Sequence, residues 1–134
     1  MRRLAALSLL GALTLAGCGG GPSYTRVSDG VLKVDLDEYT LHPENIEVPA
    51  GQVIHLVAHN RGRLTHNLAI ESLDRETGEE ATVYGRTDTL QPGQTGRERE
   101  PITLKPGKYR LVCTIGNHDD LGQYGELKVV AAQK

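Results

Sequence analysis

Short apolar runs of period two, each closed by Pro or Gly, constrain this chain most. In Val31-Leu-Lys-Val-Asp-Leu36 apolar residues alternate with polar ones. Asn45-Ile-Glu-Val-Pro49 is a short strand ended by the turn Pro49-Ala-Gly51. From Gln52 to Asn60, Ile54, Leu56 and Ala58 alternate with Val53, His55, Val57 and His59. His66, Leu68 and Ile70 share one face of the next strand. Ile102 and Leu104 precede the turn Lys105-Pro-Gly107, after which Tyr109, Leu111 and Cys113 share a face. Leu127 and Val129 then alternate with Glu126 and Lys128. This pattern predicts an antiparallel β-sandwich or barrel rather than a helical fold. Residues 72–94 are polar and weakly patterned, and read as an excursion between sheets with room for a short helix. The chain has no Phe and no Trp, so its core must be built from Val, Leu, Ile and Tyr.

The chain of 134 residues holds one domain, and its first segment stands apart from it. Met1-Arg-Arg3 is a short basic start, followed by 13 mostly apolar residues from Leu4 to Ala16. A bilayer span needs about 20 such residues, so this run fits the apolar part of an export signal. It ends in Leu15-Ala-Gly-Cys18, which resembles a bacterial lipobox. That resemblance implies diacylglyceryl attachment to Cys18 and removal of residues 1–17. Two or more acyl chains anchor a protein stably where one is marginal. Residues 18–30, rich in Gly, Ser and Pro, read as a flexible tether with a reach of about 20 Å. Residues 31–134 form the folded domain.

Losing Arg2 and Arg3 from the 15 basic residues leaves 13 against 17 acidic ones, a charge of −4 with His neutral. That argues against nucleic-acid binding, which favours a basic patch. If Cys18 carries lipid, Cys113 has no cysteine partner. A lone thiol outside the cytoplasm is oxidised unless it is buried or bound to a metal.

The loop that begins at this thiol is Cys113-Thr-Ile-Gly-Asn-His118-Asp-Asp-Leu-Gly-Gln123. Taken singly, each residue has an ordinary explanation. Cys113 is a small buried hydrophobe, His66 a hydrogen-bonded core histidine, His118 a loop residue, and Gln123 a solvent-facing amide. Together they point elsewhere. Alternation turns His66 and Cys113 inward near one end of the sandwich, where polar groups need partners. Gly116 and Asn117 suit a tight bend that returns His118 to the thiolate. Asp119 to Gly122 then carry the chain over, so that Gln123 approaches from the axial side. Two imidazoles, a thiolate and a weak axial donor make the ligand set of a type 1 copper site. His42, His55 and His59 stay outside it. His55 and His59 face outward and, four residues apart on a strand, lie about 13 Å from each other.

On these residues the chain resembles the cupredoxins, the blue copper proteins of the plastocyanin and azurin type. The resemblance spans residues 31–130 and includes Ile46-Glu-Val-Pro-Ala-Gly51, Thr65-His-Asn-Leu-Ala-Ile70, Leu104-Lys-Pro-Gly-Lys-Tyr109 and the Cys113 loop. It implies a Greek-key all-β sandwich or barrel and one copper ion held by His66, Cys113, His118 and Gln123. It also implies that Asn67 bonds near Thr114 to tie the two ligand loops together. Two departures stand out. Gly116-Asn117 replaces the Pro-Gly common before the second loop His, and Gln123 replaces the usual axial Met, as in the stellacyanin-like branch. The chain's only Met is Met1, so the mature protein has no thioether. An amide oxygen is a harder donor and favours Cu(II), which implies a lowered reduction potential.

The functional expectation is a monomeric one-electron carrier, lipid-anchored to a bacterial cell membrane or outer membrane. It would work between extracytoplasmic or periplasmic redox partners such as a cytochrome or oxidase. His118 would be the partly exposed edge, Leu121 and Gly122 a contact surface, and Asp119 and Asp120 a bias toward a basic partner. A copper-binding or delivery module using the same ligands is the alternative, although Met-rich segments are missing. A copper-free domain with a buried Cys113 is the third reading. An enzyme is not expected: there is no His-x-His pair for a multicopper oxidase and no second cysteine for a dinuclear copper centre.

Overall fold

The computed structural model describes residues 17, 19–73 and 80–132. Apart from Gly17, the export signal lies outside the described residues, as does the lipidation residue Cys18. The described chain is all-β. Its strands are β1 (Thr25–Arg26), β2 (Val31–Asp37), β3 (Thr40–His42), β4 (Ile46–Pro49), β5 (His55–Asn60), β6 (Ala69–Ser72), β7 (Val83–Arg86), β8 (Thr95–Arg97), β9 (Gly107–Val112) and β10 (Tyr124–Val130). They form a six-stranded sheet ordered β1-β4-β10-β9-β6-β7 and a four-stranded sheet ordered β3-β2-β5-β8.

Alternation drives the packing. Leu32, Val34 and Leu36 of β2 and Leu56 and Ala58 of β5 face Ile46 and Val48 of β4, Ile70, Leu111 and Leu127 in one buried cluster. Each such side chain contributes about 1.5–3 kcal/mol on burial, which lets an aliphatic core replace the missing large aromatics. Tyr109 lies at its margin, with its hydroxyl donating to Lys105 O at 2.8 Å.

The sheets are mixed, which corrects the antiparallel expectation. β2 pairs parallel with β5, and β4 pairs parallel with both β10 and β1. Period two reports which face a residue occupies and carries nothing about strand direction. The excursion after Ser72 also differs from expectation. Its described part, residues 80–94, carries β7 and isolated bridges at Thr87 and Leu90, and no helix. Residues 74–79 lie outside the described residues. The coil expected across 18–30 gives way at Thr25, where β1 adds to the sheet edge. The Tyr24 hydroxyl bonds the Glu126 carboxylate, and Val27 packs on the core.

The pairing brings four segments to one end of the sandwich. β9 runs into Cys113 and β10 starts just after Gln123, with Cys113 N donating to Gln123 O at 3.1 Å. Ala69 of β6 pairs with Val112 of β9, which sets His66–Leu68 beside the Cys113 loop. The two-residue turn between β2 and β3, Glu38-Tyr39, closes over the same end.

Candidate metal centre

His66 and Cys113 are both fully buried, and His118 is half-buried. Cys113 Sγ lies 3.6 Å from His118 Nδ1 and 3.9 Å from His66 Nδ1. One donor atom from each residue falls within 4.8 Å of the others, the only such metal-capable group among the described residues. The two imidazoles are 5.0 Å apart at their centroids and tilted by 55°.

Each side chain is held from behind. His66 is fixed by a two-way backbone bridge to Leu90, with N···O distances of 3.1 and 2.7 Å. His118 sits in a tight coil: its N–H donates to Ile115 O at 3.1 Å, and its carbonyl accepts from Gln123 N at 3.0 Å. Gly116 opens that coil with φ of 53°, a left-handed value that glycine adopts without strain. Asn67 and Thr114 bond twice. Asn67 Nδ2 donates to Thr114 Oγ1 and Thr114 N donates to Asn67 Oδ1, both at 2.8 Å. This clamp joins the segment after His66 to the segment after Cys113.

Gln123 is fully buried. Its Nε2 donates to Asp37 O at 2.7 Å and to Thr40 O at 3.2 Å. Both partners are acceptors only, so a flipped amide would set oxygen against oxygen. Its Oε1 is therefore fixed as the free end, and it is a buried polar atom with no hydrogen-bond partner. Such orphans are rare in folded proteins and call for an explanation. A bound cation supplies one.

Electrostatics agree with that reading. Burial pushes the Cys113 thiol up, against N–H groups of Asn67 and Ile115 that favour the thiolate, while Asp119 adds to the rise. A cation at the site would reverse that balance by binding the thiolate.

Glu38 is a residue the sequence reading missed. Its Oε1 accepts from Arg63 N at 2.6 Å and Leu64 N at 3.0 Å, and lies 3.4 Å from His66 Nε2. The N–H groups of Leu64 and Arg63 hold this carboxyl down at about 2 against a desolvation that works upward, with His66 and Asp37 assisting. Tyr39, also unforeseen, meets the His118 ring edge-on at 5.4 Å. It has a φ of 61°, uncommon for a residue other than glycine. A glutamate and a tyrosine at a hairpin tip both read as solvent-facing, so no sequence signal marked either one.

The other histidines lie elsewhere. His55 Nδ1 is 2.8 Å from Glu98 Oε1, and His59 Nδ1 is 2.7 Å from Thr95 Oγ1. Leu121 is 51% exposed beside His118 in the chain. The Asp119 carboxylate lies 3.6 Å from the Arg110 guanidinium.

No protein-family model and no curated protein sequence matches the chain. Solved structures do match its fold. Dithionite-reduced auracyanin from the photosynthetic bacterium Roseiflexus castenholzii superposes with a TM-score of 0.66 at 19% identity, over 80% of this chain and 100% of that one. Auracyanin A, a blue copper protein from the green thermophilic photosynthetic bacterium Chloroflexus aurantiacus, matches with a TM-score of 0.63 at 16% identity, over 78% and 99%. A multicopper oxidase from Pediococcus acidilactici matches at 0.57 and 16%, over 77% of this chain but 26% of that one. The chain has the cupredoxin fold. Its His66–Cys113–His118 group fits a single type 1 copper ion.

Proposed function

We propose that this chain is a membrane-tethered type 1 copper protein that carries single electrons between extracytoplasmic redox partners. One observation carries the reading: a thiol and two imidazoles converge within 4.8 Å of one another, and Gln123, whose backbone bonds Cys113 and His118, keeps a buried amide oxygen with no partner. His66 Nδ1, Cys113 Sγ and His118 Nδ1 would hold the ion, with Gln123 Oε1 as a fourth, weaker donor. Copper held there supplies one-electron chemistry between its Cu(I) and Cu(II) states.

The protein's own part is rigidity and access. The Asn67–Thr114 clamp and the two carbonyls on Gln123 Nε2 fix the donors in one arrangement. Outer partners of this kind orient ligands and tune a site. His118 alone of the three is half-buried, so its ring offers the short path from the donors to the surface. Exposed Leu121 gives that surface an apolar contact.

Anchoring would rest on the lipobox-like Cys18; among the described residues no helix is long and apolar enough to cross a membrane. The path of the chain supports a tether at the copper end. β1 runs parallel to β4 and β10, so residues before Thr25 head toward the end where β10 begins. Pro22 there shares a cleft with Tyr124 and Gly125.

The test separates a carrier from a delivery module. The copper-loaded protein is mixed with a cytochrome and, separately, with a copper-free acceptor. Fast reversible electron exchange with copper retained is expected. Transfer of the metal itself with negligible electron exchange would contradict the carrier reading and favour delivery.

A further inference from the structure

The Asp37–Thr40 turn touches three residues of the centre at once. Its carbonyls hold Gln123 Nε2, Tyr39 packs on His118, and Glu38 approaches His66. The Glu38 contact is the only charged one of these, and it is built rather than incidental. A glutamate on an open hairpin tip would sweep through many rotamers. Here Oε1 is pinned by two successive backbone N–H groups, Arg63 and Leu64. Gly62 makes room for it: a Cβ there would overlap Glu38 Oε1 and come within 3.1 Å of His66 Nε2.

We propose that Glu38 is a positioning residue of the metal centre, holding the Nε2 proton of His66 and biasing the site toward its oxidised state. The proposal rests on the copper reading above. A neutral imidazole carries one N–H, and the hydrogen bond it makes decides which nitrogen keeps a lone pair. A carboxylate beside Nε2 keeps the proton there and leaves the Nδ1 lone pair toward Cys113 Sγ. Its negative charge also favours the more highly charged of the two copper states. Glu38 thereby acts in the same direction as Gln123, and both groups reach the centre through one turn.

The test uses the full chain with Glu38→Gln. Glutamine keeps an oxygen for Arg63 and Leu64 N–H and removes only the charge. In copper-free protein, nitrogen NMR of His66 is expected to show the Nε2-protonated form in the unaltered chain, to keep it in Glu38→Gln, whose amide oxygen still accepts from Nε2, and to lose that preference in Glu38→Ala. In copper-loaded protein, the Glu38→Gln variant's preference for Cu(II) over Cu(I) is expected to fall about tenfold, which raises the potential by about 59 mV. Gly62→Ala, which pushes the carboxylate off Nε2, shifts the potential in the same direction. A His66 tautomer unchanged in Glu38→Ala together with a potential unmoved in Glu38→Gln overturns the proposal. So does a potential that moves with Glu38→Ala but not with Glu38→Gln, because that assigns Glu38 to shaping the loop alone. The NMR arm needs no copper. Failure of the unaltered chain to develop a thiolate–copper band therefore counts against the copper reading, while the tautomer still decides the Glu38 contact.

Discussion

Gln123 shows how a residue's role comes from what surrounds it. Alone in a sequence it reads as a surface amide; buried, with Nε2 committed to two carbonyls, it has one oxygen left and no protein partner for it. With Oε1 as the proposed donor, exchanging Gln123 for Met would replace a hard donor with a soft one and favour Cu(I). Gln123→Met is expected to raise the midpoint potential by at least about 60 mV in voltammetry, a tenfold change in preference. It also abandons two hydrogen bonds, at about 1 kcal/mol each, so the variant should melt earlier. An unchanged potential would show that Oε1 does not meet the metal. The convergence of Cys113 and His118 was legible because one short loop holds them at fixed spacing, and that of His66 because alternation turned it inward. Glu38 was not, because its contact forms only when a hairpin folds onto a segment 28 residues away.

Strands followed the same rule. β2, β5, β9 and β10 each bury an alternating face, and that periodicity was readable. β1, β7 and β8 bury no face and span two to four residues, so they left no apolar period to read. β8 is secured instead by the residue that follows it. Glu98 accepts from Leu56 N at 2.7 Å and from His55 at 2.8 Å, pinning the β5 edge. Desolvation pushes the Glu98 carboxyl upward, but hydrogen bonds from His55, its own N–H and Leu56 N–H, with the Arg97 charge, outweigh it and hold the carboxyl below its usual value. The unfolded chain therefore takes up this proton first on acidification. The stabilisation is complete above the ordinary glutamate value of about 4.3 and is lost as pH falls through the lower folded value. In denaturant titrations, Glu98→Gln is expected to cost about 1 kcal/mol at neutral pH and to flatten the acid limb. An identical acid limb in the variant would remove Glu98 from that account.

At the scale of the whole molecule, the direction of β1 matters most. Six residues lie between Cys18 and Thr25, and the seven steps across them span at most about 25 Å when fully extended. Since the chain before β1 heads toward the metal-bearing end, a lipid on Cys18 would keep that end close to the bilayer. With the anchored protein in vesicles, nitroxide-labelled headgroups are expected to speed the relaxation of the Cu(II) signal. No change relative to unlabelled vesicles would place the site away from the membrane. That geometry could not be read from alternation, because parallel pairing is decided by the packed sheets and not by any one strand. Everything above depends on Cys113 meeting a metal, and a Cu(II) titration of the protein lacking residues 1–18 tests this most directly. An intense visible thiolate-to-copper band saturating at one equivalent, and lost in Cys113→Ser, is the result expected. A folded protein that stays colourless with Cu(II) would contradict it.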